Sequence, residues 1–166
     1  MVIQISDTFM TTLIKKVSKR LHDNQLSLVS AESCTGGWLA KQITDLAGSS
    51  SIFDRGFVSY SNQAKQDMLG VKLATLEAHG AVSEAVAKEM AEGALINSQA
   101  DIAASITGVA GPGGGTTEKP VGMVCFGWVK SGEKVIIKTA FFEGDRDSVR
   151  QRAVSFSLNG VYDLIP

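Results

Sequence analysis

The chain is short of the residues that carry most metal and nucleophile-activating chemistry. It has only two histidines, His22 and His79, in 166 residues. Their spacing matches no metal-ligand pattern, so no metal site is expected and no histidine is placed to act as a base. The two cysteines, Cys34 and Cys125, are too few and too far apart for a disulfide framework or a zinc knuckle. Free thiols in a cytoplasmic protein are the expectation. Positive charge is not in excess either: 16 Lys and Arg stand against 17 Asp and Glu, a net charge of −1. Without a broad basic field, nucleic acid is not an expected partner. No apolar run is long enough to span a bilayer. The opening MVIQISDTFM lacks the basic and then apolar pattern of a secretory signal. Neither a membrane nor a secretory route is therefore expected.

What is present is an ordinary soluble composition, 44% hydrophobic and 20% charged. The length suits one domain over 1–166. Apolar positions Phe9, Leu13, Ile14, Val17 and Leu21 recur at helical spacing, so 7–23 reads as a helix with Ser6 or Asp7 as its cap. A buried strand over 26–31 follows, then a helix over 35–46 carrying Trp38, Leu39, Ile43 and Leu46. A second strand is expected at 56–61, a short helix from an Asn62 cap to Met68, and another over 72–79 closed by Gly80. Ser83 caps a longer helix to residue 97, with Glu84 suited to its positive end. Strands over 101–107, 121–130 and 134–142 come next, the last two joined by a hairpin at Ser131-Gly132-Glu133. A helix over 145–158, with Val149, Ala153 and Phe156 inward, closes the pattern. Alternating strands and helices predict an α/β fold, a single three-layer α/β/α domain with a mixed, mostly parallel sheet.

In such sheets ligands bind beyond the carboxyl ends of the strands. Three segments should meet there, and each is rich in polar residues or glycine. The first is Ala31-Glu32-Ser33-Cys34-Thr35-Gly36-Gly37. It could be only a capped turn, an anion cradle at a helix start, or the seat of a nucleophile, with Ser33 and Cys34 both available. The second carries Tyr60 and Lys65. A lysine held neutral by burial can replace the missing histidine as a base. The third, the loop over 108–120, clusters backbone amides free of bulk and is long for a mere connector. Arg146 at the start of the last helix could bind a phosphate. Arg150 and Arg152 read as a solvated helix face.

Taken together and in order, AESCTGG, GFVSYSN with Lys65, GAVS, TGVAGPG and KPVG closely resemble the CinA C-terminal-domain family, the competence/damage-inducible group. The resemblance covers about residues 8–160. It implies a three-layer α/β/α fold and the hydrolysis of nicotinamide mononucleotide (NMN) to nicotinate mononucleotide and ammonia, without a cofactor. It implies Ser33 as nucleophile, Lys65 as general base and Tyr60 as an assisting hydroxyl. Arg146 would bind or orient the substrate. Backbone groups around Thr35, Gly36 and Gly37, and around Thr107, Gly108, Ala110 and Gly111, would hold the oxyanion and the nucleotide. A homodimer is also implied. A nucleotide-binding module without chemistry is the competing class.

Overall fold

The computed structural model describes residues 7–166. The first helix, α1, runs Asp7–Asp23 as its periodicity predicts. Its expected cap, Ser6 or the Asp7 side chain, lies outside the described residues. Inward positions are Met10, Leu13, Ile14, Val17 and Leu21, all buried, whereas Phe9 is half exposed.

β1 (Leu28–Glu32) leads into α2 (Trp38–Thr44) and a single 3-10 turn. β2 (Phe53–Val58) follows, then α3 (Asn62–Leu69), α4 (Leu73–His79) and α5 (Glu84–Ile96). The chain ends with β3 (Ile102–Gly108), β4 (Met123–Lys130), β5 (Ile136–Phe141) and α6 (Arg146–Leu164). The five strands form one sheet in the order β2-β1-β3-β4-β5. β1 pairs in parallel with both β2 and β3, and β4 is antiparallel to β3 and β5. Only β4 is reversed, so the sheet is mixed with a mostly parallel core.

Two apolar layers close over it. Residues of α1, α2 and α6 form one core cluster with Leu28, Ile106, Phe126 and Trp128. Residues of α3, α4 and α5 form the other with Val29, Ala31, Ala103 and Val129. Every residue of β1 is buried, as expected of a strand covered on both faces. Gly93 of α5 lies directly on the Leu69 carbonyl of α3, where any Cβ would collide with it. That close approach seats the end of α3 on α5.

Several boundaries differ from the sequence expectation, and the site explains two of them. β2 lies three residues earlier than the predicted 56–61. It ends before Ser59, whose carbonyl, like that of Tyr60, turns to meet Lys65. α2 starts at Trp38 rather than Thr35, because Gly36 and Gly37 take positive φ (58° and 96°) in a turn first. α3 is capped by Ser61, whose hydroxyl accepts from the Ala64 amide, rather than by Asn62. The Ser83 cap on α5 is as expected. α6 runs on past residue 158 and buries Leu158 and Val161.

Candidate active site

The carboxyl ends of β1, β2 and β3 lie side by side: Glu32 is in register with Val58 on one side and Ile106 on the other. Pairing persists for one more residue, with Ser59 N–H donating to the Glu32 carbonyl and Ser33 N–H to the Ile106 carbonyl, both at 2.9 Å. Ser33 is thus fixed by backbone at the point where β1 gives way to the turn.

Lys65, on the first turns of α3, reaches back under this edge. Its side chain is 1% exposed. Nζ lies 2.9 Å from Ser33 Oγ, 2.8 Å from the Ser59 carbonyl and 3.2 Å from the Tyr60 carbonyl. Burial lowers the lysine pKa from its ordinary value, against a smaller opposing pull from the Cys34 sulfur. Nζ donates to the two carbonyls and to Ser33 Oγ, the three contacts an ammonium can make; in the neutral form the same amine would keep the carbonyls and could accept from the Ser33 hydroxyl.

Cys34, the adjacent nucleophile candidate, is different. It is 6% exposed, and burial pushes its thiol up to about 12. Lowering by its own backbone amide and by Arg150 and Lys65 does not offset this, and Glu32 adds to the rise. A protonated buried thiol is inert as a nucleophile.

Glu32 was quoted in the first motif without a role, and the structure supplies one. Its carboxylate, 1% exposed, accepts from Thr35 Oγ1 (2.6 Å) and from the amides of Gly37 (3.2 Å), Leu39 (3.0 Å) and Ala40 (2.9 Å). The positive start of α2 is therefore occupied by the protein's own carboxylate. The signal in the sequence was an acidic residue closing an otherwise apolar and small-residue strand.

A cavity of about 310 Å³ opens over Ser33 and Lys65, at the lower end of the ~300–1,000 Å³ range of small-molecule clefts. Its walls are Tyr60, the Ala81-Val82 pair, the loop from Thr107 to Gly114, and Arg146. Of the expected residues, Ser33, Tyr60, Lys65, Thr107, Gly108, Ala110, Gly111 and Arg146 thus share one cleft. Ala81 and Val82 were not among the expected site residues, although their motif belongs to the resemblance. Thr35, Gly36 and Gly37 do not line this cleft. They line a neighbouring cavity on the far side of the turn, together with Trp38, Lys41, Gln42 and Arg150.

Some expected side chains are held differently from the expectation. The Tyr60 hydroxyl accepts from Arg146 Nη2 at 3.1 Å, so it is the tyrosine carbonyl that meets Lys65. Arg146 Nη1 also donates to the Gly111 carbonyl at 2.7 Å, tying the second and third loops together. The Thr107 hydroxyl, 1% exposed, donates to the Ala81 carbonyl at 2.8 Å. Arg150 is not a solvated residue: its Nε and Nη2 donate to the Cys34 and Thr35 carbonyls. Both histidines are exposed. Among the described residues no three His, Cys, Asp or Glu side chains gather as a metal site would need, and no helix is long and apolar enough to cross a membrane.

Comparison with known proteins gives a consistent picture. The CinA C-terminal domain family matches residues 10–165. The chain is 49% identical over 158 residues to the nicotinamide-nucleotide amidohydrolase PncC of Escherichia coli K12, covering 95% of this chain and 96% of that one. It is 51% identical over 151 residues to the PncC of Enterobacter agglomerans, covering 84% and 92%. Among solved structures, the competence/damage inducible protein CihA of Agrobacterium tumefaciens superposes with a TM-score of 0.92 at 40% identity, covering 99% of both chains.

Proposed function

The chain belongs to the CinA C-terminal domain family, and from that membership and the Ser33–Lys65 geometry we propose that it is an NMN amidohydrolase. NMN and water would give nicotinate mononucleotide and ammonia, returning pyridine nucleotide to NAD synthesis. The observation that carries the chemistry is a buried lysine of lowered pKa whose Nζ is 2.9 Å from a serine hydroxyl at a strand end.

In the proposed mechanism neutral Lys65 takes the proton from Ser33 Oγ as that oxygen attacks the carboxamide carbon. The carbonyl oxygen becomes an oxyanion. The Cys34 amide, which donates to no backbone carbonyl among the described residues and is engaged only by its own sulfur, is the donor proposed for it. Collapse breaks the C–N bond, and protonated Lys65 returns its proton to the departing amine, releasing ammonia. The nicotinoyl ester on Ser33 is then hydrolysed by water, with Lys65 again accepting and returning a proton. Arg146 and the glycine-rich loop near Gly111 offer a cation and unhindered backbone for the phosphate and ribose. Tyr60 acts by holding Arg146 at the cleft and by lending its carbonyl to Lys65. A homodimer in the cytoplasm is the setting that accompanies this reading.

The experiment is to mix the purified protein with NMN and follow ammonia. Turnover is expected, and Ser33→Ala should abolish it while leaving the circular dichroism spectrum unchanged. Retained turnover in Ser33→Ala would remove the serine from the mechanism. The competing class, a binding module, is favoured if calorimetry detects NMN binding without ammonia release.

A further inference from the structure

Arg150 lies one helical turn beyond Arg146 on α6, yet it faces the opposite side of the nucleophile turn. Its side chain is 27% exposed. Nε donates to the Cys34 carbonyl at 3.1 Å and Nη2 to the Thr35 carbonyl at 3.2 Å. The guanidinium carbon stands 5.1 Å from the centre of the Trp38 ring. Gly36 lies beside it: a Cβ there would meet Nη2 at 3.6 Å, an ordinary contact, so the positive φ of 58° rather than the arginine favours glycine at this position. The remaining contact, to Asp147 at 3.8 Å, involves a carboxylate whose side chain is 80% exposed, and such a pair contributes little.

The two carbonyls it holds are those of the first two residues after Ser33. The same turn is gripped from below by Glu32, which takes the Thr35 hydroxyl and three amides. Carboxylate on the donors and guanidinium on the acceptors together fix the peptide planes of the turn. A planar fork with several N–H groups suits two adjacent carbonyls, and a lysine ammonium does not reproduce it.

We propose that Arg150 is a positioning residue for hydrolysis: by holding the Cys34 and Thr35 carbonyls it keeps Ser33 Oγ aligned on Lys65 Nζ and the Cys34 amide available to the oxyanion. The inference rests on the amidohydrolase reading. It adds a residue that touches neither substrate nor base and lies outside the cleft.

The test compares Arg150→Ala and Arg150→Lys with the unaltered protein in NMN turnover, thermal unfolding and chemical rescue. Misplacement of a reacting group lowers kcat rather than raising KM, so Arg150→Ala should lose roughly ten- to a hundred-fold in kcat with KM little changed. Arg150→Lys should fall between the two, and added guanidinium should restore part of the Arg150→Ala rate. Unchanged kcat in Arg150→Ala overturns the proposal. So does a rise in KM alone, or a loss that follows the folded fraction and is not rescued. If the unaltered protein releases no ammonia from NMN, the functional reading itself fails. Ser33 labelling by a fluorophosphonate then still decides the positioning role. In that reaction Oγ bonds to phosphorus, fluoride leaves and Lys65 takes the proton. Slower labelling in Arg150→Ala supports the proposal, and an equal rate defeats it.

Discussion

Glu32 and Lys65 are the charged side chains that the described fold buries, each 1% exposed, and they stand on neighbouring segments of the same sheet edge. Their surroundings are opposite in kind. Glu32 receives four hydrogen bonds, all from the turn and the start of α2, so its charge is answered by fixed donors. Lys65 meets two carbonyls and a hydroxyl and forms no ion pair among the described residues. Three uncharged oxygens but no carboxylate answer its charge there, and burial lowers its pKa. One buried group is therefore tied into the turn by fixed donors, and the other meets only uncharged partners and has its pKa lowered by burial. The difference lies in the partners supplied, because burial is the same in both.

The largest effect expected from breaking this contrast is at Lys65. Lys65→Met removes the proposed base, and a positioned base contributes ~10²–10⁴-fold. NMN turnover should fall by that order, while the stability lost with two hydrogen bonds, about 0.5–1.5 kcal/mol each, is offset in part by removal of the buried amine. Lys65→Arg should be equally inactive, because a guanidinium is never neutral near pH 7. Ammonia release together with urea unfolding separates the two properties. A fully active arginine variant would falsify the role of Lys65 as base.

Glu32 should show the reverse pattern. Glu32→Ala strands the amides of Gly37, Leu39 and Ala40, and loss of a charged acceptor costs about 1.5–3 kcal/mol per bond before relaxation and water entry. A loss of about 3 kcal/mol in unfolding free energy is expected. Glu32→Gln should lose less, since one oxygen remains an acceptor. Residual turnover per folded molecule should exceed that of Lys65→Met. If Glu32→Ala unfolds at the same urea concentration as the parent, the carboxylate is not what holds the turn.

The contrast also sets a pH dependence. The folded pKa of Lys65 lies below its unfolded value of about 10.4. Between those two values the unfolded chain binds more protons, so this group makes stability increase as pH rises through that window. Below the folded pKa both states are protonated, and the folded state carries the penalty of a buried charge. The stability difference between the parent and Lys65→Met should therefore shift toward the parent as pH rises from the folded pKa to about 10.4. kcat/KM should rise along an acidic limb centred below the ordinary lysine value. A difference that stays flat across this range would mean that the Lys65 pKa is not lowered.

Most elements of this fold were legible where a single face or a single cap decided them, the α3 cap on Ser61 being one residue off. The α1 spacing, the Ser83 cap and the Ser131–Glu133 hairpin depend on neighbours in the chain, and the structure has each of them. Ser33, Lys65 and the Thr107 loop could be placed at one edge because parallel strands must present their carboxyl ends together. The expectations that changed depend on side-chain contacts that periodicity does not show, some a few residues away and some far along the chain. Thr35 looked like the start of a helix until Glu32 and the two glycines made a turn of it. Arg150 looked solvated because its periodicity places it at the margin of α6, and no local pattern reveals that Cys34, 116 positions away, receives its Nε. The Tyr60 hydroxyl was expected as an assisting group, and no local pattern reveals its partner Arg146, 86 positions away.

The smallest effect is expected at the residue between the two buried charges. Cys34 follows Glu32 and Ser33, and its sulfur is near enough to Lys65 to oppose the lowering of the lysine pKa. Its own thiol, pushed up to about 12, stays protonated at any pH where the protein would work. Cys34→Ala removes a small buried group, for which a loss of about 1 kcal/mol is expected. It should keep turnover close to that of the parent. Iodoacetamide should leave the parent active, because alkylation needs a thiolate and access, and a side chain 6% exposed offers little of either. Rapid inactivation that disappears in Cys34→Ala would show that the Cys34 thiol, which lines the cleft beside Ser33, is reactive, and would reopen the choice between the two adjacent nucleophiles. Full activity without inactivation leaves Ser33 as the group that the lysine serves.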